Sequence, residues 1–186
     1  MKSQKFLSAA ILALTLVTGT AFAQKEKTVM VGGAAMYPSR NIVENAVNSK
    51  DHTTLVAAVK AAGLVETLSS AGPFTVFAPT NAAFAKLPKG TVETLLMPEN
   101  LKMLQTILTY HVVAGKMNAK DIAKAIKKGN GMATMTTVSG GRLMASMRGK
   151  NLILTDENGK IATVTIADVN QSNGVIHVID SVVTPK

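Results

Sequence analysis

The second half of the chain is a series of short strand-like segments separated by glycine-containing turns, and this pattern restricts the fold more than any other feature. The segments are 132–138, 142–148, 151–155, 160–168 and 175–183. Short runs rich in β-branched residues and bounded by glycine or asparagine predict strands. Asn158-Gly159 stands between two of them and predicts a type I′ hairpin. We therefore expect a mostly antiparallel sheet in this half.

The part of the chain before residue 129 predicts helices interrupted by two strands, one at 74–78 and a short one at 111–113. The helical segments are 39–47, 51–63, 64–68, 82–86, 91–97, 99–109 and 118–128. Ser39 and Thr80 are suited to cap two of them, and Asn118 with Asp121 three residues later resembles a capping box. Residues 74–78 form the strand signal, directly after Gly72-Pro73. Helices followed by mostly antiparallel strands predict the α+β class.

The first 23 residues have the three parts of a bacterial secretory signal peptide. Lys2 and Lys5 form the positive region, residues 6–19 the apolar region, and Ala21-Phe22-Ala23 a small-x-small cleavage site. This apolar run is shorter than the roughly 20 residues that a membrane-spanning helix needs, and no later run could span a bilayer. We expect cleavage after Ala23 and an exported protein, periplasmic or extracellular, without a membrane span.

The remainder is expected to be one domain. The chain has 186 residues, of which 47% are hydrophobic and 17% charged, which suits a single folded core. Residues 24–38 are small and irregular in composition, so we assign them to a short N-terminal extension. The domain itself is expected over 39–185. Its oligomeric state is left open.

The residue inventory argues against catalysis and against a metal or other cofactor. The chain contains no cysteine, which excludes thiolate nucleophiles, zinc ribbons and iron–sulfur ligation. None of the three histidines lies in a zinc-protease context, and no serine lies in a nucleophile elbow or phosphate-binding loop. Asp156 and Glu157 are adjacent in a turn, where we expect a solvated loop. The sequence predicts a protein that is not an enzyme.

The positive charge is concentrated in one segment. The chain carries a net charge of +9, and residues 116–150 hold eight basic residues against Asp121 alone. On a helix that begins at Asn118, four lysines fall within about 100° of one another, and Ile122 and Ile126 face the other way. These lysines, which we call the lysine face, are Lys120, Lys124, Lys127 and Lys128.

The lysine face has two interpretations. One is a binding patch for an anionic partner, an acidic polysaccharide or an anionic lipid surface, with an affinity that salt weakens. The other is a solvated helix face whose charge only aids solubility. Nucleic acid is not expected, because the chain is exported and aromatic stacking residues are scarce nearby.

Three stretches, in order, resemble the motifs of fasciclin (FAS1) domains. They are 74–84 (FTVFAPTNAAF), 108–113 (LTYHVV) and 173–185 (NGVIHVIDSVVTP). The resemblance implies a single domain, a wedge-like β-sandwich with several helices packed along it. It also implies a secreted bacterial protein with a role in cell adhesion or extracellular interaction rather than in catalysis.

Eleven residues of the two outer blocks are expected to have structural roles. Among them, Pro79 and Thr80 are expected to set a strand-to-helix turn, and His177 to be a hydrogen-bonded core residue on the face of Val175 and Ile179. The eleven residues are Phe74, Val76, Phe77, Pro79, Thr80, Asn81, Phe84, Asn173, Gly174, His177 and Asp180.

The resemblance also implies candidate adhesion positions. In animal members, integrin adhesion is attributed to a Tyr-His pair and to an Asp-Ile pair before the last block. Tyr110 and His111 match the first pair, while Asp168-Val169 matches the second only approximately, with Val in place of Ile. A structural role that joins helix to strand is the alternative for Tyr110 and His111.

Two functions therefore remain open. The first is a secreted, non-enzymatic interaction module that binds an extracellular or envelope protein, an acidic polysaccharide or an anionic lipid surface. The second is an extracytoplasmic carrier of a small apolar ligand, in which methionines and valines of the C-terminal half line a cavity.

Overall fold

The computed structural model of the protein describes residues 26–186. The predicted signal peptide, residues 1–23, lies outside the described residues. Within them, no helix is long and apolar enough to cross a membrane.

Within residues 26–186 there are seven α-helices, all between residues 42 and 128, and each corresponds to one of the predicted helical segments. They are α1 (Ile42–Ala46), α2 (Thr53–Ala61), α3 (Val65–Ser69), α4 (Asn81–Ala85), α5 (Thr91–Leu95), α6 (Leu101–Tyr110) and α7 (Ala119–Lys128). Short 3-10 helices at Lys50–His52 and Pro98–Asn100 precede α2 and α6.

The strands form two sheets within residues 26–186. They are β1 (Val29–Val31), β2 (Ala34–Met36), β3 (Phe74–Pro79), β4 (Val112–Ala114), β5 (Met132–Thr136), β6 (Arg142–Arg148), β7 (Asn151–Thr155), β8 (Ile161–Gln171) and β9 (Gly174–Ile179). β1 and β2 form a hairpin, and the others form a sheet in the order β4-β3-β9-β8-β7-β6-β5. A bridge between Val113 and Thr137 brings the two ends of this sheet together, so that the sheet is rolled. The predicted α+β class is confirmed.

The centre of the sheet is a parallel pair formed by β3 and β9. Phe74 pairs with Gly174 and the register continues without a break to Pro79 and Ile179. All six residues of β9 are buried, because both faces of the strand are covered. Gly174 is required by the close approach of the strands, since a Cβ at this position would lie 2.1 Å from the Phe74 carbonyl oxygen.

The two faces of this strand pair cover separate hydrophobic cores. The first core lies inside the rolled sheet and is closed by α7, with Phe77, Ile122 and Leu154 among its fully buried side chains. The second core lies on the opposite face, beneath the β1-β2 hairpin and α1, and includes Val76 and Ile176. A third, smaller cluster joins α2 to α6.

Local rules account for α7. Ile122 and Ile126 are buried against the sheet, and all four residues of the lysine face are exposed, which confirms the predicted amphipathic pattern. The Asp121 carboxylate accepts a hydrogen bond from the backbone N–H of Asn118 at 3.3 Å, as a capping box requires.

The N-terminal segment differs from the irregular extension that we expected over 24–38. It contains the β1-β2 hairpin, and Val31 and Met36 are buried in the second core. Gly32 and Gly33 have φ values of 57° and 76°, which allow the two-residue turn. The prediction that Ser39 caps α1 is also wrong, because the cap is Asn41. Its side-chain oxygen accepts the Glu44 N–H, and its backbone N–H donates in return to the Glu44 carboxylate.

The turn at 156–160 differs from the prediction in two respects. Asp156 is fully buried and not solvated, because its carboxylate accepts hydrogen bonds from the N–H groups of Asn158, Lys160 and Thr184. Gly159 has a positive φ but Asn158 does not, so the turn is not of type I′. The turn is held together by the hydrogen bonds of the buried Asp156 carboxylate, and not by two residues in the left-handed conformation.

Asn173 joins the central strands to the helical layer. Its side-chain oxygen accepts the first N–H of α1, from Ile42, at 3.0 Å, and its amide nitrogen donates to the carbonyls of Leu68 and Ser70, both at 2.8 Å. These three bonds satisfy backbone groups at the beginning of one helix and the end of another.

We predict that Asn173→Ala lowers the free energy of unfolding by about 3 kcal/mol, because three partner groups lose their hydrogen bonds in a largely buried site. Urea denaturation followed by circular dichroism measures the change. Asn48→Ala is the matched control, since the Asn48 amide bonds one carbonyl on the surface. Equal losses in the two variants would contradict the role of Asn173.

Candidate functional site

The lysine face is an exposed row of positive charge on a helix whose opposite face is buried. Lys124 lies 3.7 Å from the Asp121 carboxylate, a one-turn ion pair on the surface. Lys120, Lys127 and Lys128 form no ion pair with any residue of the described chain, 26–186. Lys127 and Lys128 occupy the last turn, where positive charge also interacts favourably with the helix dipole.

Asp168 ties the sheet to the start of α7. Its carboxylate accepts a hydrogen bond from the Ala119 N–H, the first residue of the helix, at 2.7 Å. Its backbone has a φ of 60°, a left-handed conformation that aspartate tolerates better than most residues. Asp168 is half-buried, so it remains partly accessible to solvent. Its bond to Ala119 fixes the start of the helix that carries the lysine face. Val169, its neighbour, is only 1% exposed and packs in the second core.

Tyr110 is fully buried at the end of α6. Its hydroxyl donates to the Arg142 carbonyl at 2.6 Å and accepts from the Glu157 N–H at 3.3 Å, so it joins the helix to two turns of the sheet. Burial raises the pKa of the Tyr110 phenol to about 12. The side chain is placed where it supports the fold and does not reach the surface.

His111 is also buried, with both ring nitrogens satisfied. Nδ1 lies 2.8 Å from the Ile107 carbonyl, and Nε2 accepts the Val183 N–H at 3.3 Å, which assigns the proton to Nδ1. Burial lowers the pKa of His111 to about 4, although its bond to the Ile107 carbonyl opposes the shift. Of the four candidate adhesion positions, the structure thus buries Tyr110, His111 and Val169, and leaves Asp168 partly accessible.

His177 occupies the core of the central strand pair, as expected. Its Nε2 lies 2.9 Å from the Met117 carbonyl, and Nδ1 receives a long hydrogen bond of 3.4 Å from the Asp168 N–H. The ring stacks on Phe77 with centroids 5.6 Å apart. Burial lowers the pKa of His177, so the neutral ring joins the loop before α7 to the strand pair.

The other signature residues join neighbouring elements of the fold. Thr80 caps α4 by accepting the Ala83 N–H, which confirms its predicted role, and Pro79 ends β3 directly before it. Asn81 bonds the start of α2 through the Thr54 N–H and the Lys50 carbonyl. Asp180 accepts the Thr163 N–H at 2.8 Å. The remaining signature residues, Phe74, Val76 and Phe84, are buried or half-buried.

A cavity that the sequence did not indicate lies in the second core. It has a volume of about 60 Å³ and is lined almost entirely by apolar side chains, between α1 and α2 on one side and β3, β9 and β4 on the other. The carrier hypothesis placed a cavity among methionines and valines of the C-terminal half. The structure instead places it beneath the N-terminal helices, with Met36 as its single lining methionine among the described residues.

His52 is the unusual member of this lining. The residue is 3% exposed, and Ser49 Oγ lies 2.8 Å from its Nδ1. Its Nε2 has no hydrogen-bond partner within residues 26–186. Burial lowers the pKa of His52, and an interaction with the Ala78 backbone opposes part of this shift. The ring is therefore a neutral polar group on an apolar wall.

The described residues offer no obvious metal site. No group of three or more histidine, aspartate or glutamate side chains in the part of the chain from 26 to 186 is arranged to hold a metal ion.

The rolled sheet, the central strand pair and the helical layer are those of a fasciclin domain. The family model of the fasciclin domain matches residues 50–185, and the chain belongs to this family.

Relatives and a solved structure agree with this assignment. A Synechocystis sp. protein named sll1483 is 47% identical over 96% of this chain and 97% of its own length. Immunogenic protein MPB70 of Mycobacterium bovis is 37% identical over 75% of this chain and 66% of its own. A FAS1 domain pair of the insect cell adhesion molecule fasciclin I matches 84% of this chain and 57% of that one, with a TM-score of 0.69 and 17% identity, which shows a shared fold.

Burial of His111 generates a prediction about pH. Its pKa falls from 6.5 to about 4 on folding, so between these values the unfolded chain binds a proton that the folded chain excludes. The free energy of unfolding should therefore fall as the pH falls from 6.5 to 4, by up to about 1.4 kcal/mol per pH unit from this residue. His52 and His177, whose pKa values are also lowered by burial, add to the fall.

Urea denaturation over this pH range measures the slope for the wild type and for His111→Gln. Glutamine cannot titrate, so the variant should be less stable at neutral pH but should lose less stability on acidification. Parallel curves for the two proteins would show that His111 is not responsible.

Proposed function

We propose that this protein is an exported, non-enzymatic interaction module that acts in adhesion or in envelope or matrix association, and that the lysine face of α7 is its contact surface. The observation that carries the proposal is the exposure of four lysines on one face of a helix whose other face is buried.

The geometry favours binding because the charges are presented from a rigid element. Ile122 and Ile126 are buried in the first core, and Asp168 holds the first N–H of the helix. Of the four lysines, only Lys124 forms an ion pair within residues 26–186, and its partner is Asp121. A fixed row of cations loses little conformational freedom of its backbone on binding, and it produces a positive field that attracts anions over roughly the Debye length of 8–10 Å.

The comparisons support an extracytoplasmic setting. The solved fasciclin I domains come from an insect cell adhesion molecule, and this chain shares their fold. With the predicted signal peptide, this supports a periplasmic or extracellular location. The partners that fit are acidic polysaccharide, an anionic lipid surface, or an extracellular or envelope protein with an acidic patch.

Three of the four candidate adhesion positions are buried, and the fourth is connected to the helix that carries the lysine face. Tyr110, His111 and Val169 lie inside the protein, so in the folded state a partner meets Asp168 alone among the four. Asp168 is bonded to Ala119 at the start of α7. We propose that this position acts by orienting the lysine face.

We predict that replacing the four lysines of the lysine face by glutamine weakens binding to phosphatidylglycerol vesicles by about a thousandfold at low salt, because each lysine near an anionic surface contributes about 1 kcal/mol. Vesicle co-sedimentation measures the affinity, and retention on dextran sulfate tests an anionic polysaccharide in parallel. Wild-type binding should fall steeply as salt is raised.

The matched control replaces four exposed lysines elsewhere on the chain, which changes the net charge equally. These are Lys50, Lys89, Lys102 and Lys160. If the two variants lose the same affinity, net charge explains the binding and the lysine face is not a site. If the wild type binds neither the phosphatidylglycerol vesicles nor dextran sulfate, the proposed anionic partner is wrong.

A further inference from the structure

Two exposed stretches meet at one end of the rolled sheet. The first, 127–132, leads from the last turn of α7 into β5, and the second, 147–151, leads from β6 into β7. Every residue of both stretches is exposed. Met132 at the start of β5 pairs with Ser146, two residues before the end of β6. Because neighbouring strands lie about 4.8 Å apart, the end of α7 and the β6-β7 turn are adjacent.

This end of the sheet carries four cations. Lys127 and Lys128 belong to the lysine face, and Arg148 and Lys150 add two charges from the end of β6 and the turn that follows it. None of the four forms an ion pair within residues 26–186. The sequence over 122–155 contains no aspartate or glutamate, so no acidic side chain of these segments neutralises the four charges.

Two methionine side chains are exposed among these cations. Met132 is 50% exposed and Met147 is 42% exposed, although methionine is usually a buried residue. Met147 follows the alternation of buried Ala145 along β6, so it lies on the α7 side of the sheet, and Met132 lies on the other side. We call this surface the basic tip, and its residues are Lys127, Lys128, Met132, Met147, Arg148 and Lys150.

The combination of cations with apolar side chains distinguishes a lipid bilayer from the other anionic partners. An acidic polysaccharide is attracted by the cations alone, and it offers no apolar phase to methionine. An anionic bilayer has phosphate groups at its surface, which arginine and lysine bind, and hydrocarbon directly beneath them, which accepts apolar side chains. Methionine is unbranched and flexible, so it adapts to such an irregular environment. The exposed methionines therefore leave water on a bilayer and remain in water on a polysaccharide.

We propose that the basic tip docks on an anionic lipid bilayer, where its four cations bind phosphate groups and its two methionines insert among the acyl chains beneath them. The basic tip shares two lysines with the lysine face, so this inference rests on the proposed function and assigns one class of partner to it. The β6-β7 turn becomes part of the contact, and the end of the rolled sheet faces the membrane.

The first test removes the apolar side chains at constant charge. Met132→Gln/Met147→Gln should weaken binding to vesicles of equal parts phosphatidylglycerol and phosphatidylcholine about tenfold, because two half-exposed methionines no longer leave water. Retention on dextran sulfate should not change, which also shows that the variant keeps its fold. Met97→Gln/Met103→Gln is the matched control, since these side chains are 45% and 58% exposed and lie outside the basic tip. Vesicle co-sedimentation measures the affinities.

The outcomes of this test separate insertion from the proposed function. Equal vesicle binding by the two double variants, or an equal loss on vesicles and on dextran sulfate, would exclude insertion of the methionines while the lysine face still binds anions. Binding of the wild type to dextran sulfate but not to vesicles would make the partner a polysaccharide and overturn the bilayer alone. Binding of the wild type to neither material would overturn the proposed function as well.

The second test concerns the two cations that the lysine face does not include. Arg148→Gln/Lys150→Gln should weaken vesicle binding about thirtyfold at low salt, because each cation near an anionic surface contributes about fivefold. Arg142→Gln/Lys160→Gln is the matched control, since it removes the same charge at the opposite end of the sheet, where β6 and β8 begin. Equal losses in the two variants would show that net charge controls binding and that the basic tip is not the contact.

The third test measures insertion directly. The chain contains no cysteine, so Met147→Cys can be labelled at a single position with an environment-sensitive fluorophore. When the labelled protein binds the vesicles, its emission should shift to the blue and be quenched by phosphatidylcholine that is brominated on its acyl chains. Met97→Cys, labelled in the same way, should show neither change. Quenching at both positions, or at neither, would overturn docking through the basic tip.

Discussion

The parallel pairing of β3 with β9 is the contact on which the rest of the structure depends. The strands are separated by almost 100 residues of chain, and they pair in continuous register from Phe74 to Pro79. Because both faces of β9 are buried, this pair divides the interior into two cores. The pairing is possible only because Gly174 lets the Phe74 carbonyl approach, and Asn173 beside it connects the strands to two helices.

The two cores give the molecule two faces of different character. The first core holds α7 against the rolled sheet and so presents the lysine face to solvent. The second core is incompletely filled and contains the unpaired nitrogen of His52. The Tyr-His pair at 110–111 lies at the junction, where Tyr110 bonds the sheet turns and His111 lines the cavity. Surface charge and interior space are thus separated by a single layer of strands.

Features that depend on near neighbours could be predicted from the sequence. Thr80 caps α4, the spacing of Ile122 and Ile126 marks the buried side of α7, and His177 is a bonded core residue. Features that depend on distant partners could not. The buried role of Asp156 requires Thr184 from the end of the chain, and the cavity beside His52 is lined by residues that range from Val31 to Ile176.

The sequence by itself determined most of the helix and strand segments, the Thr80 cap of α4, the lysine face and the fasciclin family, because these depend on periodicity, turn chemistry and motifs within a few residues. The tertiary structure alone decided which strands pair, that Tyr110, His111 and Val169 are buried, and where packing leaves space. A residue is buried when segments from elsewhere in the chain pack against it, and its neighbours in the sequence do not specify which segments these are.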